Sequence, residues 1–256
     1  CYIWVETETA GTYRLGNAVA SINGTLYESL AAAAAAAKAN DTIELLADVE
    51  NVGNISLPAG ATLSGNGKTI SGKSAIYINT NGGRIKNVIF KNIHNESNKQ
   101  SAVYANGLRG NLDINSCQFI DCDWDAIQVT PVAGADIQLH YNDFSDSTED
   151  GIRQQRFIHV QSAANVDFNA NISLNTMSGD VAQGAIEVYY FKDANNVYVA
   201  LNYIEDMADV CILQGSGTNV DEMIFPVFAD IEGSAVYTPA AVIKGQYTMT
   251  AYDTLE

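Results

Sequence analysis

Ile85-Lys-Asn-Val88-Ile-Phe90-Lys-Asn92 returns four more times, in weakened form, before residue 207. The later copies are Ile114-Asn-Ser-Cys117-Gln-Phe119-Ile-Asp121, Leu139-His-Tyr-Asn142-Asp-Phe144-Ser-Asp146, Phe168-Asn-Ala-Asn171-Ile-Ser173-Leu-Asn175 and Val199-Ala-Leu-Asn202-Tyr-Ile204-Glu-Asp206. Their middle anchors fall at 88, 117, 142, 171 and 202, in steps of 29, 25, 29 and 31 residues. A period in this range is the mark of a solenoid, whose units bury their apolar faces only by stacking on one another. Between the copies runs a second series of short β-rich segments: Ala75–Ile78, Ala102–Ala105, Ala126–Val129, Phe157–Val160, Ala185–Val188 and Val210–Leu213. Apolar and polar positions alternate in them, and no helix-length apolar period lies between. Short strands at two or three per turn, joined by Asn, Asp and Gly, predict an all-β chain wound as a parallel β-helix.

The pattern resembles the right-handed parallel β-helix, pectin-lyase-like superfamily over roughly residues 41–218. A second resemblance lies upstream. Ile22-Asn-Gly-Thr-Leu-Tyr-Glu-Ser-Leu, an Ala-rich run, then Asn40-Asp-Thr-Ile-Glu-Leu-Leu-Ala-Asp-Val49 is similar to the opening segment of β-helix domains in bacterial surface proteins and adhesins. That resemblance implies export and a place outside the cell or on its surface, a virion included. Cys1 fits either a lipidated mature end of a bacterial lipoprotein or a simple processing boundary.

The expected organisation has three parts. Residues 1–40 hold strand-like pieces and a capping helix of about 14 residues, started by a capping box at Thr25-Leu-Tyr-Glu28 and carried by Ala31–Ala37. Its flat, small-residue face suits the open end of a solenoid, where bare β-edges invite aggregation. Residues 41–218 form the β-helix. Residues 219–256 lose the repeat and read as a C-terminal β-hairpin cap or a self-assembly segment.

Charge narrows the partners. The 256 residues carry a net charge of -17, with 47% hydrophobic and 17% charged residues. The pI near 4.3 and mean hydropathy of -0.03 describe a folded, acidic chain. Such a field repels nucleic acid and anionic membranes, and disfavours polyanionic substrates unless cations bridge them. No run of about 18 apolar residues predicts a membrane span. Cys117 and Cys211 are several coils apart, too far for a disulfide at about 4.8 Å per coil, and read as small core residues.

In a solenoid, equivalent positions line up in rows. Asn142, Asn171 and Asn202 predict an asparagine ladder in a tight turn, and Phe90, Phe119 and Phe144, followed later by Ile204, an interior stack. Asn92, Asp121, Asp146, Asn175 and Asp206 would form a further row. With Asp123, Asp125 and Asp150 close by, its carboxylates (Asp121 and Asp146 foremost) are either a solvated turn edge or oxygen ligands for Ca²⁺. No cofactor is required by any motif. The outward row of the second strand series reads Tyr77, Tyr104, Gln128, His159, Glu187, Ile212, beside Asn79, Asn106, Thr130, Gln161, Tyr189, Gln214. Tyrosines and amides in a flat strip suit the faces and hydroxyls of an extended glycan, and equally suit a solvated strand. The binding residues expected are Tyr77, Tyr104, Gln128, His159, Gln161, Glu187 and Tyr189.

Catalysis has weaker markers. His159 and Glu187 fall on adjacent coils, as an acid and base or as a plain polar pair. Between Ser147 and Arg156 the repeat lengthens, and such insertions on a rigid solenoid often carry specificity. Lyases of the resembled superfamily abstract a proton with Arg or Lys beside Ca²⁺-binding carboxylates, which makes Arg153 and Arg156 candidates. Their Trp-x-Asp-His and Arg-x-Pro-x-x-Arg signatures are absent, as is the polygalacturonase set. The expectation is a non-catalytic surface module with a structural, adhesive or glycan-binding role. The alternative is a polysaccharide lyase or glycoside hydrolase acting on a glycan along the same face.

Overall fold

The computed structural model describes residues 2–94, 101–147, 154–179, 181–192, 196–205, 212–214, 227–228 and 236–237. Arg153, Asp150, Asp206 and most of 219–256 lie outside them, and with them most of the expected C-terminal hairpin.

Short parallel strands stack in three rows, visited by the chain in a fixed order. The first row runs through Thr42–Leu45, the starts of Thr62–Gly72 and Gly82–Ile93, then Asn111–Asn115, Asp136–His140, Asn169–Ser173 and Val197–Ala200. The second uses the ends of the same two long strands, then Gln118–Cys122, Asp143–Asp146, Thr176–Gly179 and Tyr203–Glu205. The third, a separate eight-stranded sheet, contains Gly53–Ser56, Ser74–Ile78, Val103–Leu108, Asp125–Pro131, Arg156–Val166 and Gly184–Phe191. Val227–Phe228 and Val236–Tyr237 add parallel rungs to the second and third rows, beyond residue 218.

Register makes the core. Leu63, Ile85, Ile114, Leu139, Ile172 and Val199 form one inward column. Ile55, Ile76, Val103, Ile127, Ile158 and Ile186 form another. All these residues are buried, and each side chain contributes about 1.5–3 kcal/mol by leaving water. In the second row Phe90, Phe119 and Phe144 stack with ring centroids 4.9 Å apart, nearly coplanar in tilt, and Met177 and Ile204 continue the column. Ile158 sits opposite Ile127 across the lengthened repeat, as the sequence suggests.

The fourth copy is shifted by four residues from its expected place. Asn175, not Asn171, follows Asn142 in the ladder, and Ile172, not Phe168, follows Leu139. Only this register puts both Ile172 and Met177 into the core columns, where each is almost fully buried. The ladder itself is complete. Asn142 Nδ2 donates to Asn175 Oδ1 at 3.1 Å and to the Ile114 carbonyl at 2.9 Å. Asn175 Nδ2 repeats this with Asn202 Oδ1 and the Leu139 carbonyl, and Asn202 Nδ2 reaches the Ile172 carbonyl. The backbone N–H groups of Cys117, Asn142 and Asn175 donate to the Oδ1 atom of the next rung. Just before each rung the chain turns through a left-handed residue: Asn87, Ser116, Tyr141, Leu174 and Leu201, with φ between 53° and 58°.

At the N-terminal end, Tyr2–Glu6 and Tyr13–Asn17 pair only with each other. Ala20–Ile22 pairs antiparallel with Thr25–Tyr27 and with Thr42–Leu45, ahead of the parallel rows. The helix is shorter than expected, Leu30–Ala36, and Ser29 rather than Thr25 is its N-cap, accepting from Ala32 N–H at 3.1 Å. Thr25 is already committed to a strand, and the chain leaves the helix at Ala37 in extended conformation. Leu30 and Ala33 bury against the first strands. Among the described residues no helix is long and apolar enough to cross a membrane.

Candidate functional site

The third row carries the outward column that the sequence marks for binding. Its register is as expected through five rungs: Tyr77, Tyr104, Gln128, His159 and Glu187 lie side by side. The sixth position is Leu213, one residue on from the expected Ile212. Tyr77 and Tyr104 meet edge to face at 5.5 Å, and burial, with Tyr104 nearby, raises the pKa of the Tyr77 phenol. Gln161 pairs with Tyr189 on the next outward column, and Tyr189 contacts Tyr190 at 5.9 Å.

Exposure departs from expectation in the middle of the strip. Tyr77, Tyr104, Gln128, Gln161 and Tyr189 are half-buried, but His159 is only 6% exposed and Glu187 only 2%. They cannot serve as open binding residues. The reason is a charged cluster that the sequence reading divided between two roles. Asp125, placed in an acidic metal-binding group, is fully buried at the start of its strand. It accepts from Arg156 Nη1 at 3.1 Å and faces His159 Nδ1 at 2.9 Å. Arg156 turns its Nε to Glu187 Oε2 and its Nη2 to Gln183 Oε1. His159 Nε2 lies 3.1 Å from Gln161 Oε1 and 3.9 Å from Glu187 Oε2. The guanidinium thus sits between two carboxylates, and both imidazole nitrogens face oxygen acceptors. Burying these charges singly would be prohibitive, and burying them together is tolerable because each meets an opposite charge or a hydrogen-bond partner.

The lengthened repeat feeds this cluster. Gln154 is buried, donates its backbone N–H to Asp146 Oδ2 at 3.1 Å, and donates its side-chain amide to the Arg156 carbonyl at 3.0 Å. Spacing alone shows Arg156 near the insertion. Its reach to both Asp125 and Glu187 depends on register across three strands of the third row.

The acidic row does not converge. Asp121 Oδ1 accepts from Ser147 N–H and Oγ, Asp146 from Gln154, Asp123 pairs with His94 Nδ1 at 2.5 Å, and Asp125 belongs to the ion cluster. Asn175, expected in the same row, belongs to the ladder, and Gly179 takes its place opposite Asp146. A side chain at Gly179 would put Cβ 2.1 Å from the Asp146 carbonyl oxygen, so this corner is closed to a ligating group. Among the described residues no three His, Cys, Asp or Glu side chains group as a metal site. Cys117 and Cys122 are buried free thiols. Burial pushes Cys117 up to about 12, and Cys122 in the same direction.

No family model, curated protein or solved structure matches this chain.

Proposed function

We infer that the three rows wind as a right-handed parallel β-helix of the pectin-lyase-like kind, in a non-catalytic module of an extracellular or cell-surface protein. The outer third-row face meets an extended neutral glycan or similar surface polymer. Fixed row order, parallel pairing within the three rows from Thr42 onward and one shared core support the winding. A density map in which the rows failed to close round a single axis would overturn it.

The observation that carries the non-catalytic reading is the closed ion cluster. Arg156, His159, Glu187 and Asp125 include every described residue with a candidate acid, base or proton-abstracting role, and each is engaged by another member. A general base must reach the proton it takes. Here His159 presents neither ring nitrogen to an open surface. The binding strip is accordingly narrowed to Tyr77, Tyr104, Gln128, Gln161 and Tyr189, which are half-buried and unbroken by a full charge.

Two measurements test this. Tyr104→Ala with Tyr189→Ala should weaken retention on a glycan array without lowering the melting temperature. Absence of any glycan binding by the unmodified chain removes the strip and leaves a scaffolding role. Incubation with polygalacturonate, alginate and glycosaminoglycans, with and without Ca²⁺, should yield no ultraviolet-absorbing unsaturated product. Such a product, lost on Arg156→Ala, would establish the lyase alternative instead.

A further inference from the structure

Both glutamines of the strip have their amides fixed from within. Gln128 Oε1 accepts from Ser101 Oγ at 3.1 Å, and Ser101 is buried. A buried hydroxyl must give its hydrogen to an oxygen, so turning the Gln128 amide would strand it. Gln161 is fixed by His159. Asp125 Oδ2, 2.9 Å from His159 Nδ1, offers only lone pairs, so Nδ1 carries a hydrogen. Among the described residues the cluster sets the carboxylates of Asp125 and Glu187 against the single guanidinium of Arg156. An imidazolium at His159 balances it, which burial of the group favours. Nε2 then carries a hydrogen too, and only the carbonyl end of the Gln161 amide, with Oε1 at 3.1 Å, can receive it. Each amide thus keeps Oε1 for the protein and turns its N–H groups outward. Neither Nε2 has a hydrogen-bond partner among the described residues.

Register sets a tyrosine beside each of these donors. Tyr104 neighbours Gln128, and Tyr189 neighbours Gln161. The two pairs lie two strands apart, about 10 Å along the stack. We propose that the strip reads acetamido groups: Gln128 and Gln161 donate Nε2–H to the carbonyls of a neutral N-acetylated glycan, while Tyr104 and Tyr189 take its methyl groups and ring faces. The proposal rests on the third-row face being the glycan surface. Its chemistry selects among glycans. A site of outward donors asks for acceptors, and an amide carbonyl is a better acceptor than a hydroxyl, which also brings a donor of its own. Carboxylates are equally good acceptors, but a chain at -17 repels uronate and sulfated polymers. The acetamido group alone joins a neutral acceptor to a methyl suited to a phenol ring. Ser101 and His159 are positioning residues that hold the two amides in this sense.

Calorimetric titration of the 256-residue chain tests this with chito-oligosaccharides and cello-oligosaccharides. These share linkage and differ in carrying an acetamido group or a hydroxyl. The unmodified chain should bind the chito series about tenfold more tightly, the scale of one good hydrogen bond. Gln128→Glu and Gln161→Glu keep the inner oxygen for Ser101 or His159 and exchange only the outward donor for an acceptor. Each should cost about tenfold on the chito series and leave the cello series within about twofold. Ser101→Ala frees the Gln128 amide to turn and should narrow the preference, whereas a mere loosening of the fold would weaken both series alike. Equal affinity for the two series, or a preference that survives both glutamate variants, overturns the acetamido assignment and leaves the strip standing. So does Tyr104-dependent retention, on a glycan array, of glycans without acetamido groups alone. Binding of neither series, with nothing retained on the array, removes the strip and this proposal together.

Discussion

The asparagine ladder at 142, 175 and 202 and the ion cluster at 125, 156, 159 and 187 are both buried polar stacks that cross successive strands of the parallel rows. The ladder is neutral and made of one residue type. Asn142 and Asn175 donate an amide N–H to the oxygen of the rung after, and each of the three amide oxygens accepts from the backbone N–H of the rung before, so any repeat could carry it. The cluster has no repeating unit. Its carboxylates, guanidinium and imidazole are each needed once, and removing one strands the others. A periodic polar stack can therefore be extended or shortened at modest cost, whereas an aperiodic charged one is all or nothing.

The hardest blow to that contrast is Asp125→Ala. It leaves Arg156 Nη1 and His159 Nδ1 without their carboxylate, in a site where Asp125 was fully buried. Breaking one side of a buried ion pair costs about 3–5 kcal/mol. Urea unfolding should show a loss of this size. A loss under about 1 kcal/mol, the scale of a surface pair, would mean that the cluster is wetted and that its burial has been overvalued.

A middling effect is expected in the ladder. Asn175→Ala strips partners from the Asn142 N–H and amide and from the Leu139 carbonyl. Unsatisfied buried groups cost about 1–3 kcal/mol. Asn171→Ala is the control, since its side-chain oxygen is buried with no hydrogen-bond partner among the described residues and its loss should be neutral within about 0.5 kcal/mol. Equal losses at 171 and 175, by the same urea titration, would erase the distinction between a rung and a bystander.

The two stacks were unequally legible for the same reason. A stack that repeats one residue leaves a period in the sequence, so the ladder, the phenylalanine column and the parallel rows could be read directly. The four-residue error of register arose where Asn169, Asn171 and Asn175 compete for a single anchor. It is settled only by asking which choice buries Ile172 and Met177 together. The cluster leaves no period. His159 and Glu187 could be placed on adjacent rungs, but Asp125 and Arg156 come from strand starts, outside the column, and alternation predicts direction without predicting depth. The helix boundary failed through local competition: Thr25 has the capping pattern, yet strand pairing with Ala20–Ile22 claims it first. Leu174 looks like core in the sequence, and only its left-handed backbone and its exposure separate it from the core.

The finest test lies at the head of the ladder, where Cys117 occupies the rung before Asn142 and its backbone N–H already donates to Asn142 Oδ1 at 3.1 Å. If the ladder is a freely extendable column, Cys117→Asn should add a rung, its new amide reaching Asn142 Oδ1 and a first-row carbonyl. The expected change at neutral pH is within about 1 kcal/mol of zero. The thiol makes a second readout available. Its pKa rises from 9.0 free to about 12 in the fold, because burial disfavours the thiolate. The unfolded chain therefore sheds this proton first as pH rises. The thiol's contribution is intact below pH 9 and drains away between 9 and about 12, amounting to about 1 kcal/mol near pH 10. Cys117→Asn should remove that share of the alkaline loss and leave the share due to Cys122, whose burial acts in the same direction. Melting curves at pH 7 and about pH 10 read both effects. A variant that loses several kcal/mol at pH 7 would show that the column ends at Asn142 because the next rung cannot take an amide. The ladder would then be as particular about its members as the ion cluster.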